Sequence, residues 1–308
     1  MRGGCVGRRV EIAKRFGGAG VRFVGCSLAW RPGEAGERAS CLVVLDERGS
    51  IIANSFAIGA GELAEAVQGY GEERRGLIVG LDAPLSVPNE RGTRMVERIL
   101  SKVALPAYSA SRKMFGGEPF AEEVLAALEG VGVEWTDYPF RRVRGQRTVT
   151  EVDSAATLKV LLFEREASPG RGEDGDLVGA LRELPEPKLR KGNKEARATA
   201  LKSAVDVLWN TPGLRLRTGN LSAELGAEEN VDLSKIDISP SLSHAELDRV
   251  ASLVEGTLAA YTVHRHWKGR DGSIVAGTGY EGSVLLPASG ALRERIAEEC
   301  RAARMPYV

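Results

Sequence analysis

Residues 77 to 88 read LIVGLDAPLSVP, and the first five of them form a continuous apolar run. A run of this length without alternating polar residues is typical of a strand that is buried on both faces of a sheet. Because Asp82, Ala83 and Pro84 break the pattern at once, we expect the strand to end there. The sequence therefore predicts a central parallel strand with a carboxylate directly after it.

Three segments upstream of this run predict an antiparallel meander followed by a short helix at 62–70. The three predicted strands are VRFVGCSLAW at 21–30, CLVVL at 41–45 and SIIANSFAI at 50–58. The sequence DERG at 46–49 supplies turn chemistry between the last two strands. A meander joined to a parallel strand predicts a mixed α/β fold of the ribonuclease H-like kind, with helices flanking the sheet.

Downstream of the run, periodicity predicts further helices and strands. Helices are expected at 95–103, 120–128, 154–166, 196–208 and 244–263, strands at 131–135 and 148–152, and a hairpin with a terminal helix after 277. The helix at 244–263 has the clearest start, because Ser243 and Glu246 form a capping-box pattern. The stretch 168–194 is rich in Pro, Gly and charge, which predicts a long loop excursion.

Composition describes an ordinary globular protein. The 308 residues are 43% hydrophobic and 27% charged, and Lys plus Arg equals Asp plus Glu at 42 each, so no global field attracts polyanions. Residues 1–20 read as a basic leader without the apolar run of a secretory signal, and no stretch reaches the length of a membrane helix. We therefore expect a cytoplasmic protein without membrane contact. Local basic runs at 141–147, 188–197 and 265–270 are solvated loops or anion-binding faces.

The four cysteines are scattered along the chain and show no spacing that is typical of zinc ligands or of a redox dithiol. They are Cys5, Cys26, Cys41 and Cys300. We expect them to be free thiols.

Carboxylates at strand ends and on the late helix are the candidates for chemistry. Asp82 follows the buried run, Glu151 ends the strand predicted at 148–152, and Asp248 lies on the late helix. Glu255 is seven residues beyond Asp248, hence on nearly the same helix face, and is a secondary candidate. Converging carboxylates repel one another unless a cation neutralises them, and Mg²⁺ or Mn²⁺ prefers such oxygen ligands. Such a cluster is suited to phosphoryl or phosphodiester chemistry.

Five segments in order resemble the family of predicted nucleases with a ribonuclease H-like fold, domain of unknown function 429. They are GCSLAW at 25–30, IVGLDAPLSVP at 78–88, TEVDSAATL at 150–158, SHAELDRVASLVEGTLAAYT at 243–262 and GYEGSVLLP at 279–287. The resemblance spans 21–287 and implies one domain over 21–308. It also implies that Asp82, Glu151 and Asp248 are catalytic metal ligands for Mg²⁺ or Mn²⁺.

The family's first-strand acid is replaced here by Ser27, whose hydroxyl is a weak, neutral ligand. Three alternatives follow from the replacement. A single ion suffices, or a nearby acid such as Glu34, Glu37 or Asp46 substitutes, or the site has become a binding surface.

Structural roles compete with these functional ones. Asp82 before Ala-Pro can organise a turn, Glu151 can pair with an arginine of 141–147, and Asp248 benefits from a helix dipole without any ligand. Arg91 and Arg94 either clamp a substrate phosphate or form salt bridges with Glu90 and Glu97.

Histidines and a polar loop complete the set of candidates. His244, at the start of the late helix, is a secondary candidate for a proton shuttle, and otherwise a surface residue. His264 and His266 fit a plain helix end better than a base-stacking site. The loop at 108–113, which contains Tyr108, is a candidate to face the same cleft.

Three functions are compatible with these observations. The leading hypothesis is a metal-dependent phosphodiester hydrolase, a nuclease, for which nucleic acid is the expected partner. The second is a catalytically degenerate nucleic-acid-binding or scaffold protein. The third, an actin-like phosphotransferase, is disfavoured because Leu28, Ala29 and Trp30 are bulky where backbone amides would have to approach phosphate.

Overall fold

The computed structural model describes residues 20–29, 38–71, 76–166, 176–186, 188–216, 232–269 and 272–308. Six of the described strands form one mixed sheet, and two more form a hairpin. The strands are β1 (Arg22–Ser27), β2 (Ser40–Leu45), β3 (Ile51–Ala57), β4 (Leu77–Asp82), β5 (Glu134–Trp135), β6 (Arg147–Glu151), β7 (Ile274–Thr278) and β8 (Gly282–Leu286).

The strand order of the sheet is β3-β2-β1-β4-β6-β5. Antiparallel pairing joins β1 to β2 and β2 to β3, whereas β4 pairs parallel with both β1 and β6, and β5 pairs parallel with β6. The predicted meander followed by a central parallel strand is therefore confirmed, and the fold is mixed α/β. All three long parallel strands end at the same edge of the sheet.

Helices flank this sheet on both faces. They are α1 (Gly59–Tyr70), α2 (Met95–Lys102), α3 (Arg112–Phe115), α4 (Phe120–Gly130), α5 (Ser154–Glu166), α6 (Leu177–Glu183), α7 (Lys194–Asn210), α8 (His244–Lys268) and α9 (Gly290–Ala302). The capping box predicted for α8 is confirmed, because Ser243 and Glu246 exchange side-chain and backbone hydrogen bonds.

Alternating side chains of the central strands supply two separate cores. In β1, Phe23 packs in the core beneath α8, whereas Val24 packs in the core beneath α1 and α4. The same alternation separates Ile78 from Val79 in β4. This explains the continuous apolar run, since both faces of β4 are covered.

Helix α8 crosses the sheet at main-chain contact. A Cβ atom added to Gly25 would overlap the carbonyl oxygen of Gly256 and the amide nitrogen of Ala260. A Cβ on Gly80 would lie 2.9 Å from the Ala259 carbonyl oxygen. Glycine at these strand positions lets α8 lie directly on β1 and β4, and therefore places the middle of α8 beside the carboxyl ends of both strands.

Several boundaries differ from the prediction. Strand β1 ends at Ser27, and the strand expected at 131–135 is reduced to Glu134–Trp135. The prediction of a loop over 168–194 was partly wrong, because the described residues of this range contain helix α6. Asp176 caps the start of this helix, where its side chain accepts a hydrogen bond from the Gly179 amide. Helix α8 continues to Lys268, because His266 and Trp267 are buried.

Within the described ranges, no helix is long and apolar enough to cross a membrane. Cys26, Cys41 and Cys300 are buried free thiols, which confirms that expectation for the three described cysteines. Cys5 and the leader up to residue 19 lie outside the described residues, and the single domain over 21–308 stays a prediction.

Candidate active site

The carboxyl ends of β1 and β4 place Ser27 and Asp82 side by side. The two residues are in register across the parallel pair. Cys26 and Leu81, which precede them, pack on the α1 and α4 face, so by strand alternation Ser27 and Asp82 are on the α8 face. Because α8 lies against this edge, its residue Glu255 reaches the strand ends, and the Ser27 hydroxyl donates to Glu255 Oε2 at 2.7 Å. Ser27, Asp82 and Glu255 are the centre of the candidate active site.

Asp82 is held by the first turn of α5. The Ser154 amide donates to Oδ1 at 2.9 Å, and the Ser154 hydroxyl donates to Oδ2 at 2.5 Å. Burial, followed by repulsion from Glu255 and Asp153, raises the pKa of Asp82 to about 7, and the two bonds from Ser154 act in the opposite direction. Near neutral pH this carboxyl group is therefore present in both protonation states, which suits general acid–base chemistry.

Glu255 is neutralised by Arg190, from the segment before α7. Arg190 Nε donates to Oε1 at 3.0 Å and Nη2 donates to Oε2 at 2.5 Å. The same Nη2 also reaches the hydroxyls of Ser252 at 2.8 Å and Ser27 at 3.3 Å. One guanidinium thus connects the carboxylate of α8 to the end of β1.

Asp248 lies seven residues before Glu255 on α8 and is also paired with arginines. Arg197 Nη2 donates to Oδ1 at 2.6 Å, and Arg38 and Arg190 lie 3.8 and 4.0 Å from its carboxylate. His244 contacts the other Arg197 nitrogen through Nδ1, at 3.1 Å. Since Nη1 of Arg197 can only donate, Nδ1 of His244 is an acceptor there, and the ring has a structural partner.

Glu151 lines a cavity of about 140 Å³ together with Asp82, but the two side chains do not point in the same direction. Glu151 is in register with Leu81, whose side chain packs on the α1 and α4 face, so the two acids leave the sheet on opposite faces. Arg94 binds Glu151 in bidentate fashion, with Nη2 to Oε1 at 2.6 Å and Nη1 to Oε2 at 3.0 Å. The Leu85 amide also donates to Oε2, at 2.7 Å. Burial raises the pKa of Glu151 and Arg94 lowers it.

Arg94 is consequently a structural arginine. Its Nε donates to Glu97 Oε1 at 2.8 Å, and Nη1 donates to the Ser86 carbonyl at 2.9 Å, in a site where its side chain is 3% exposed. The proposed phosphate clamp was therefore wrong for Arg94, because its guanidinium is bonded inside the protein. The expected pairing of Glu151 with an arginine of 141–147 was also wrong, because Arg94 is its arginine partner. Arg91 is exposed and away from these bonds.

The structure limits the acids that can substitute for Ser27. Asp46 lies at the opposite end of the sheet, since it follows Leu45, which pairs with Phe23 at the start of β1. There it accepts from the amides of Arg48 and Ser50, so it organises a turn. Glu34 and Glu37 lie outside the described residues.

Cavities surround the centre of the site. The main cavity, about 710 Å³, is bordered by Ser27, Asp82, Asp248, Glu255 and the arginines 38, 190 and 249. A second cavity of about 750 Å³ and a small one of about 140 Å³ adjoin it, and Glu255 lines all three. Asp248 and Glu255 therefore face one cavity, as their spacing along the helix predicts.

The donor set fits one hydrated divalent ion and not a larger cluster. Among the residues that the structure describes, no group of three or more His, Cys, Asp or Glu side chains is arranged to hold a metal ion. Asp82 and Glu255 interact closely enough to raise the pKa of Asp82. Mg²⁺ commonly uses one or two protein carboxylates, with water and substrate phosphate completing its shell. Glu151 fits poorly as a ligand because it leaves the sheet on the face opposite to Asp82, in a buried bidentate pair with Arg94. Asp248 fits poorly because, unlike Glu255, it is not among the acids that raise the pKa of Asp82.

Sequence reasoning missed three residues of the site. Arg190 lies in the basic run 188–197, which gave a signal for anion binding but none for a partner 65 residues away. Ser154 and Asp153 belong to the quoted segment at 150–158, and they were not singled out. Their role depends on α5 starting directly beside Asp82.

Comparisons with known proteins give no match: no family model, no curated protein and no solved structure matches the chain. The resemblance to the predicted nucleases stays a prediction that depends on the quoted segments.

Proposed function

We propose that the protein is a hydrolase of phosphodiesters, with a single Mg²⁺ or Mn²⁺ ion held by Asp82 and Glu255. The observation that carries this proposal is that Asp82, at the end of β4, and Glu255, on α8, line the same cavities, the larger of which is bordered by arginines. Open α/β sheets bind ligands at the carboxyl ends of their strands, and arginines at such an edge attract anions. The order of a meander followed by parallel strands also supports the ribonuclease H-like fold that the resemblance implies.

Arg190 and Asp82, which both line the main cavity, have different roles in the proposed reaction. Arg190 holds Glu255 in the bidentate geometry that it can also offer to a phosphate, so an entering substrate competes for this guanidinium and releases the carboxylate. Asp82 would hold the ion in its ionised form, and the two hydrogen bonds from Ser154 fix the orientation of its carboxylate. A bound divalent ion would supply an acidified water and polarise the phosphoryl oxygens.

Metal binding and turnover test the proposal together. Calorimetric titration with Mn²⁺ and hydrolysis of bis(p-nitrophenyl) phosphate are measured for the wild type, Asp82→Asn and Glu255→Gln. Loss of one of two carboxylate ligands should abolish measurable Mn²⁺ binding and lower turnover by about a hundredfold or more.

The matched control is Asp206→Asn, an exposed acid of α7 that pairs with Arg165 and is not among the residues that line the three cavities. It should bind Mn²⁺ and turn over like the wild type. If Asp82→Asn and Glu255→Gln behave as this control does, neither acid holds the ion and the proposal is wrong.

A second function, a binding protein with a degenerate site, is favoured by one specific observation. Arginines neutralise Glu151, Asp248 and Glu255, and a neutral hydroxyl, Ser27, stands at the end of β1. The variant Ser27→Asp discriminates between the two functions. Cleavage that appears only in this variant identifies a degenerate site, whereas cleavage by the wild type at the same metal concentration supports the hydrolase.

A further inference from the structure

The cavity next to the main one is strongly basic. We call it the basic cavity and define it by Lys159, Arg182, Lys188, Arg190 and Lys191, with Glu186 and Glu255 as its acids. Its volume is about 750 Å³, similar to that of the main cavity. Five cations face two carboxylates there, so the cavity attracts anions.

Lys159 is the most informative member, because it is buried within α5. Its side chain is 3% exposed, yet its ammonium pairs at 3.3 Å with Glu186, whose side chain is 57% exposed. A buried charge is costly unless it is paired and hydrogen-bonded, and the bond to Glu186 uses one of the three donors of this ammonium. A phosphate in the cavity would supply a partner with several acceptor oxygens.

Three residues connect the basic cavity to the proposed reacting centre. The Ser154 hydroxyl bonds Asp82, and Ser154 also lines the basic cavity. Arg190 and Glu255 line both large cavities, so their ion pair is the wall between them. A ligand group beside Asp82 therefore has the basic cavity directly next to it.

Aromatic side chains border both cavities. Tyr108, which is 38% exposed, lines the basic cavity, and Phe56 lines the main cavity with Arg249 stacked 4.4 Å from its ring centroid. Alternating cationic and aromatic groups along a groove are typical of proteins that bind single-stranded nucleic acid. Each cavity also has the volume of a pocket for one small organic group, which suits single nucleotides better than a duplex.

We infer that the basic cavity binds a phosphate adjacent to the scissile one, so that the cleft takes an extended single-stranded oligonucleotide rather than a mononucleotide. The position of the scissile phosphate rests on the proposed function, whereas binding in the basic cavity does not. Lys159, Arg182 and Lys191 contact this second phosphate, and Tyr108 stacks on a base.

Fluorescence anisotropy in EDTA tests the inference without metal or turnover. The probe is a labelled oligothymidylate of about 12 nucleotides, within the site sizes of single-strand binding domains. Arg182→Gln and Lys191→Gln, both at exposed residues, should each weaken binding by roughly fivefold to tenfold and reduce the slope of log K against log salt by about 0.7. Lys159→Gln should have a larger effect, and its thermal unfolding is measured alongside.

The matched control is Lys235→Gln, an exposed lysine that pairs with Asp232 and is not among the residues that line the basic cavity. It should bind the probe like the wild type. If Arg182→Gln and Lys191→Gln bind as tightly and with the same salt slope as this control, the inference is wrong.

Competition identifies the ligand class. Unlabelled oligothymidylate should displace the probe at concentrations at least about a hundredfold below thymidine monophosphate or inorganic phosphate, because it occupies both cavities at once. Equal competition by either small anion, or by polyglutamate, would overturn the inference.

Metal binding and hydrolysis by the wild type, compared with oligonucleotide binding by the basic-cavity variants, separate the two proposals. If the wild type neither binds Mn²⁺ nor hydrolyses a diester but the basic-cavity variants weaken oligonucleotide binding, the hydrolase fails and the inference stands. Diester hydrolysis without any effect of those variants on oligonucleotide binding gives the opposite result.

Discussion

Replacing Arg94 by methionine is expected to destabilise the protein by about 4–5 kcal/mol. The guanidinium and both of its carboxylate partners, Glu97 and Glu151, are at most 5% exposed as side chains. Removing one partner of a buried ion pair costs about 3–5 kcal/mol, because an uncompensated charge remains. Arg94 serves two carboxylates and the Ser86 carbonyl, so the upper half of that range applies. This is a large share of the 5–15 kcal/mol that typically stabilises a domain.

Urea unfolding followed by circular dichroism measures the effect, with Arg91→Met as the matched control. Arg91 lies three residues away and is exposed, so its replacement should change stability by less than about 0.5 kcal/mol. Arg94 lowers the pKa of Glu151, so without Arg94 this acid takes up a proton at higher pH. The loss of stability should therefore be greatest near neutral pH and shrink as the pH falls.

Neutralising one of the two acids that lose Arg94 as a partner should restore part of the lost stability. The double variant Arg94→Met with Glu151→Gln is therefore expected to be more stable than Arg94→Met alone. The structural role assigned to Arg94 is refuted if Arg94→Met unfolds like the Arg91→Met control, or if its stability is normal and only oligonucleotide binding is lost.

Three further results are expected. Gly25→Ala should lower the free energy of unfolding by about 3 kcal/mol or more, measured by thermal unfolding, because the added methyl group meets main-chain atoms of α8. The control Gly61→Ala, with nothing within 4 Å of its Cβ, should be neutral or slightly stabilising. Folding raises the pKa of Asp82 to about 7, so the free energy of unfolding of the wild type should fall by about 4 kcal/mol relative to that of Asp82→Asn as the pH rises from about 4 to 7, at about 1.4 kcal/mol per pKa unit. Urea unfolding of both proteins across this pH range measures the difference, and parallel profiles would contradict it. Arg190→Met should tighten Mn²⁺ binding about tenfold in calorimetry, since the guanidinium competes with the ion for Glu255, and should weaken oligonucleotide binding; unchanged Mn²⁺ affinity would count against the ion site.

Most of the fold could be predicted from the sequence, because the strands and long helices carry strong local patterns. The run 77–81 identifies the central strand, and the capping box marks the start of α8. Short elements were harder to predict. Helix α6 has seven residues in a stretch rich in charge, and local periodicity over two turns is too weak to separate it from a loop.

The candidate site could be predicted only in part. The end of a parallel strand located Asp82, and helical spacing placed Asp248 and Glu255 together. The face taken by Glu151 depends on strand register, which pairs it with Leu81 and is not visible in sequence. Burial of Arg94 likewise depends on tertiary contacts, because the same residue type serves equally as a surface cation or as a buried partner.

The contact between Gly25 and Gly256 also matters for protein engineering. Because bare main chain meets main chain there, the separation of Glu255 from Asp82 is determined by backbone geometry more than by rotamer choice. Grafting the two acids onto another scaffold would therefore require both glycines to be transferred with them. A graft that carried only the carboxylates would hold them at the wider helix-to-strand distance of ordinary side-chain packing.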